Sequence, residues 1–100
     1  MSEIDQDGTK AVIRPGKNIV AGVVEEFRAE IKDLLNQDVT DLTMDLTGVN
    51  ILDSMGLSVM VATHNSLQKN GTKLQISGGA DNIIKLLKDM RLDRHFAIEE

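Results

Sequence analysis

Residues 41–67, DLTMDLTGVNILDSMGLSVMVATHNSL, decide how this chain is built. Leu42, Met44 and Leu46 alternate with Asp41, Thr43 and Asp45, the pattern of a strand with one buried face. A short loop follows, and Asp53-Ser54-Met55-Gly56 opens a run in which Met55, Leu57, Val59, Met60, Val61, Ala62 and Leu67 lie nearly all round. That distribution predicts a helix over 54–68 lying deep against a sheet. A serine is thereby delivered to a helix start, where the first backbone N–H groups lack internal partners and the helix dipole is positive. Ser54 and Asp53 are ordinary capping residues, yet a phosphate on the serine could be held by the same N–H groups. Both readings stay open at this point. Gly56 falls in the first turn, where glycine costs about 1 kcal/mol relative to alanine. It makes sense if a backbone or a bulky group must come close to the serine, or if the helix packs tightly on the sheet.

Working outward, Asp7-Gly8-Thr9 is a turn signal between 3–6 and 10–15, which predicts a β-hairpin stopped by Pro15. Val20, Val23, Val24, Phe27, Ile31, Leu34 and Leu35 form a helical stripe that Asn36-Gln37-Asp38 ends. Lys69-Asn70-Gly71 stops the helix of residues 54–68. Residues 73–77 alternate again, with Leu74 and Ile76 inward, and Gly78-Gly79 turns the chain. A short helix over 80–90 places Ile83, Ile84, Leu87 and Met90 on one side, and 96–98 makes a last short strand. The expectation is an α/β fold of order β-β-α-β-α-β-α-(β), with a mixed four- to five-stranded sheet and helices mainly on one face. Strands separated by helices pair in parallel through right-handed crossovers, and the hairpin adds an antiparallel edge. Sites in such sheets gather at the carboxyl ends of the strands. Residues 45–54, 16–18 and 77–79 are therefore expected on one rim.

The 100 residues point to one domain spanning 1–100. Phe27 and Phe96 are the only aromatics, so the core must be aliphatic. With 11 basic and 16 acidic residues, the basic ones scattered, nucleic acid is an improbable partner. The absence of cysteine excludes disulfide and thiol chemistry. MSEIDQDG lacks the charge and apolar regions of a signal peptide, and no apolar run approaches the roughly 20 residues of a membrane span. A cytoplasmic protein is the economical reading.

Enzyme chemistry finds little footing. There is no G-x-S-x-G elbow, and His64 lies ten residues from Ser54 on the same helix, roughly 15 Å by the helical rise. His64 and His95 are the only histidines, so no metal site or cofactor is expected. Both G-x-x-x-x-G-K-[ST] and G-x-G-x-x-G are missing. His64 reads as a helix-face residue and His95 as a C-terminal surface residue. Asp45 is either a solvated strand residue or part of a site, and the Ser77-Gly78-Gly79 turn could offer N–H groups to an anion. Glu25-Glu26 and Glu99-Glu100 read as solvated surface.

Residues 45–57, DLTGVNILDSMGL, resemble the signature of the STAS domain, specifically of bacterial anti-sigma factor antagonists. The strand-terminal aspartate, the loop length, the Asp-Ser-x-Gly run and the apolar helix all coincide. The likeness extends over most of the chain through the element order and a later G-x-x-L-x-[IV] run at 71–76. It implies binding to a cognate anti-sigma factor that is also a serine kinase of the GHKL type. Phosphorylation of Ser54 would end that binding and a serine phosphatase would restore it. The partner-binding residues carried over are Asp45, Asp53, Ser54, Met55, Gly56 and Leu57, with no catalytic residue. This chain departs from the pattern at 16–20, where many relatives carry an acidic residue, and at Met55, which stands where a small hydroxyl residue is usual. Two other roles fit the same residues. One is a STAS scaffold, or a subunit of a transport or lipid-handling complex, that is never phosphorylated. The other is a small phosphate-handling enzyme using Ser54 and Asp45.

Overall fold

In a computed structural model that describes residues 2–99, the alternating segments become strands of one mixed sheet. The strands are β1 (Glu3–Asp7), β2 (Lys10–Arg14), β3 (Asp41–Asp45), β4 (Gln75–Ser77) and β5 (Ala97–Ile98). The helices are α1 (Ala21–Asn36), α2 (Ser54–Gln68) and α3 (Asp81–Asp89), and a single 3₁₀ turn at Leu92–Arg94 precedes β5. Strand order in the sheet follows the sequence, β1-β2-β3-β4-β5. β1 and β2 are antiparallel and every later pair is parallel. Because each crossover advances one strand in the same direction and is right-handed, all three helices fall on one face.

The hairpin closes through Gly8-Thr9, since Asp7 pairs with Lys10. Gly8 has φ +62°, which glycine takes without steric penalty at the first position of a two-residue turn. Register then sorts the side chains. Ala11, Ile13, Leu42, Met44 and Ile76 are buried under the helices. On the opposite face Asp5, Val12, Thr43 and Gln75 stand in line across four strands without a covering layer. This is the division expected of a sheet with one solvated face. β1 is exposed along all five of its residues and forms one edge, while β5, two residues long, forms the other.

α1 buries Val24, Phe27, Ile31 and Leu34, and α3 buries Ile83, Ile84 and Leu87. Each such side chain contributes roughly 1.5–3 kcal/mol of transfer free energy. α2 is buried on more than one side, through Leu57, Val59, Met60, Thr63, His64 and Leu67. It lies beside α1 and beneath the C-terminal segment, whose Phe96 is 2% exposed.

The helix over 54–68 has the bounds expected from sequence, whereas the strand expected over 39–46 is shorter, spanning Asp41–Asp45. The β3 ladder begins at Asp41 because the Thr40 and Asp41 N–H groups both turn to the Thr9 carbonyl. Met90 does not join the apolar stripe of α3: it caps the helix end, is 51% exposed, and leads into Arg91, whose φ of +59° turns the chain away. His95 is exposed as expected, and His64, expected as a helix-face residue, lies on the buried face of α2 at 3% exposure. Glu100 lies outside the described residues.

Candidate functional site

The three loops expected on one rim are tied together by backbone. Ile19 and Leu52 form an isolated parallel bridge, in which Ile19 N–H donates to the Ile51 carbonyl at 3.0 Å and Asp53 N–H to the Ile19 carbonyl at 3.3 Å. The Asn18 side-chain oxygen accepts from the N–H groups of Asn50 and Ile51 at 2.9 and 3.0 Å. Asn82, in the first turn of α3, donates from its side chain to the Asn50 carbonyl at 2.9 Å. Leu46 N–H reaches the Ser77 carbonyl at 2.8 Å. The segment before α2 is thus clamped from both flanks.

Asp53, not Ser54, is the N-cap of α2. Its extended backbone (φ −90°, ψ −177°) lets Oδ1 accept from Gly56 N–H at 3.0 Å, the capping geometry expected for aspartate. Its other oxygen, Oδ2, accepts from Ala21 N–H at 3.1 Å, across 32 residues of sequence. Val20, the residue before α1, has no side chain that can cap. One carboxylate therefore serves the starts of two helices, and its negative charge opposes both positive dipole ends. The sequence offered Asp53 as a cap for α2; the second helix it serves becomes visible only in three dimensions.

Relieved of capping, Ser54 is the first helical residue. It is exposed, and among the described residues its hydroxyl makes no hydrogen bond. Its carbonyl accepts from the Ser58 hydroxyl at 2.9 Å. The N–H groups of Ser54 and Met55 have no acceptor among the described residues, since Leu57 N–H is the first to return to a backbone carbonyl, that of Asp53 at 2.9 Å. Beside the serine, Met55 is 42% and Ile51 54% exposed. A shallow apolar groove runs from Ser54 along Ser58 and Val61 to Met90 and Leu92. Met90 and Leu92 were not among the residues expected at the site, because the turn at Arg91 that brings them there has no repeating pattern.

Two expected site residues present little surface. Gly56 is buried, and a Cβ built on it would stand 2.7 Å from the Ile19 carbonyl oxygen and 2.6 Å from Leu52 Cδ1. The backbone that comes close to this glycine is therefore the chain's own. A bulky residue at this position would meet the fold itself before it met a partner. Leu57 is 9% exposed and packs in the core.

Asp45 is built into the rim. Its Oδ1 accepts from Thr47 N–H at 3.0 Å and from the Thr47 hydroxyl at 2.7 Å, and its Oδ2 from Arg14 Nε at 3.2 Å. Arg14 also meets Asp5 at 2.6 Å, so the group links three strands. The two Thr47 bonds, followed by Arg14, hold the Asp45 carboxyl below its ordinary value of 3.8. The unfolded chain consequently binds this proton more readily, and the stability it contributes is complete above about 3.8 and lost as pH falls through the lower folded value. Replacing Thr47 with valine is expected to raise the Asp45 titration midpoint toward the ordinary value, read from its side-chain carboxyl carbon by NMR. An unchanged midpoint would assign the effect to the Thr47 N–H, which valine keeps, and to Arg14.

The sequence profile of the STAS domain matches residues 2–100. The fold is similar to that of TM1081 of Thermotoga maritima, a candidate anti-sigma factor antagonist, with 20% identity and a TM-score of 0.92 over 99% of this chain and 86% of that one. It is also similar to the anti-sigma factor antagonist SpoIIAA in its unphosphorylated form, with 16% identity and a TM-score of 0.80 over 100% of this chain and 88% of that one. The phosphorylated SpoIIAA of Bacillus gives 17% identity and a TM-score of 0.78 over 100% and 92% of the two chains. At these identities the likeness carries the fold.

Proposed function

For a chain that belongs to the STAS domain family, we propose the role of an anti-sigma factor antagonist switched at Ser54. Unphosphorylated, the protein binds a cognate anti-sigma factor that is also a GHKL-type serine kinase, and so regulates transcription indirectly from the cytoplasm. Phosphate on Ser54 ends the binding and a serine phosphatase restores it. The chain acts as a single domain and supplies a surface, with the chemistry done by its partners. The observation that carries this reading is the division of labour at the start of α2. Asp53 does the capping, which leaves Ser54 exposed with a hydroxyl that has no partner among the described residues. A kinase can reach that hydroxyl without unravelling the helix.

Phosphorylation would add about −1.5 to −2 charge at neutral pH. The open N–H groups of Ser54 and Met55 lie where that charge is favoured by the helix dipole. The fold is expected to persist while the docking face becomes anionic and bulkier. Met55, Val61, Met90 and Leu92 supply the apolar part of that face. SpoIIAA, known in both phosphorylated and unphosphorylated forms, shares this fold and supports the same logic here.

The test is affinity for the anti-sigma factor recovered with the protein from its native cell, measured by calorimetry. Ser54→Ala should fold within about 0.5 kcal/mol of wild type, as a surface substitution that removes no cap, should bind as tightly, and should resist phosphorylation. Protein phosphorylated at Ser54 should bind about thirtyfold more weakly, or about 2 kcal/mol, from like-charge and steric opposition. Equal affinity of the phosphorylated and unphosphorylated forms would sink the switch and leave the scaffold role.

A further inference from the structure

Among the described residues the buried polar side chains are Thr63 and His64. Thr63 is satisfied, its hydroxyl donating to the Val59 carbonyl at 2.7 Å. His64 is not: at 3% exposure, neither ring nitrogen meets a protein partner among the described residues. The ring packs edge-on against Phe96, with centroids 5.4 Å apart at 68°, and tilted against His95 at 5.8 Å and 58°. An imidazole carried on α2 therefore sits directly against the C-terminal segment 92–98. Across the sheet that segment is held by Ala97 N–H on the Leu74 carbonyl at 2.9 Å and Glu99 N–H on the Ile76 carbonyl at 2.8 Å. It pairs with β4 and is anchored by Phe96, which packs in the core.

A neutral imidazole is tolerable here, but a buried charge is strongly unfavourable unless it is paired. The charged and titratable groups that bear on His64 are His95, at the end of the 3₁₀ turn, and Lys73, before β4. Both are basic, so neither compensates a proton on His64. We propose that His64 is a proton-operated latch: neutral, it lets residues 92–98 dock on α2 and β4, and charged, it weakens that docking. Leu92 belongs to the segment and lines the groove beside Ser54, so acid would also reshape that groove. The latch itself does not depend on the role proposed for Ser54.

Burial, then His95, then Lys73, hold the folded His64 below its ordinary 6.5. An undocked imidazole binds its proton more readily, so docking is complete above about 6.5 and weakens as pH falls below it. The experiment is amide hydrogen exchange by NMR, corrected for intrinsic rates. Protection of the Ala97 and Glu99 amides is expected to fall about tenfold between about pH 7.5 and about pH 5.5, one pKa unit's worth of linkage, while β3 amides change little. In His64→Leu the pH dependence should vanish. Where that variant does not fold, the wild-type titration decides: the His64 ring and the amide shifts of 92–98 should share one midpoint below 6.5, and His95→Gln should move it upward. Protection independent of pH in the wild type, pH dependence that survives in His64→Leu, or separate midpoints for ring and segment would each overturn the latch.

Discussion

Replacing Gly56 with leucine is expected to remove more than about 4 kcal/mol of stability, because overpacking a filled site costs about 1–3 kcal/mol and here the obstacle includes backbone. Side-chain methyls such as Leu52 Cδ1 and Ile19 Cγ2 can give way, but the Ile19 carbonyl oxygen cannot retreat freely. That oxygen accepts from Asp53 N–H, and Ile19 is bridged to Leu52. Moving it would disconnect the loop before α1 from the loop before α2. Alanine is the sharper probe. It gains about 1 kcal/mol in helix propensity, yet its Cβ meets the same oxygen, so a net loss of about 2 kcal/mol is expected. Urea titration followed by circular dichroism measures both variants. Gly56→Ala as stable as wild type would mean that the bridge yields easily, and the rigid rim described above would be wrong.

Asp53→Ala is expected to lose about 3 kcal/mol, since each lost side-chain cap is worth about 0.5–2 kcal/mol and this residue caps two helices. Asparagine separates the two. Its single carbonyl oxygen can replace only one acceptor, so Asp53→Asn should recover roughly half of the loss. The signature lies in where the damage appears: exchange of the Ala21 amide, at the start of α1, should rise together with that of Gly56. A rise confined to Gly56 would show that Oδ2 contributes nothing to α1. Ser54→Ala is the control, since that hydroxyl holds neither helix.

The fold was legible because its strands and helices obey their own periods. Leu42, Met44 and Leu46 alternate, and Val24, Phe27, Ile31 and Leu34 recur at helical spacing, so sheet face and helix stripe could be named from residue type alone. The bounds of α2 were legible too, since Asp53 and Gly71 punctuate it chemically. What escaped notice depends on contacts between distant segments. Asp53 reaches Ala21 because β2 and β3 are neighbours, which no local pattern states. Gly56 advertised a close approach without saying to what, and the answer, the Ile19 carbonyl, lies in another loop. His64 left a usable signal: it stands four residues after Met60 and three before Leu67, on the buried stripe. Its polar identity obscured that spacing. Met90 misled in the opposite sense, since its helical spacing was right but the helix had already ended.

The edges of the sheet bear on how the protein behaves in a crowded solution. A bare strand edge is a template on which another molecule's strand can assemble, and growth from such templates seeds fibrils. Here β1 places Glu3, Asp5 and Asp7 along its exposed length, and two such edges laid against each other would bring rows of carboxylates together. β5 is too short to hold a docked strand in register. With a formal net charge of −5, encounters between copies are repelled before the edges meet. Collisions in concentrated solution should therefore end in separation more often than in addition, and neutralising β1 with Glu3→Gln, Asp5→Asn and Asp7→Asn should shorten the lag before turbidity develops.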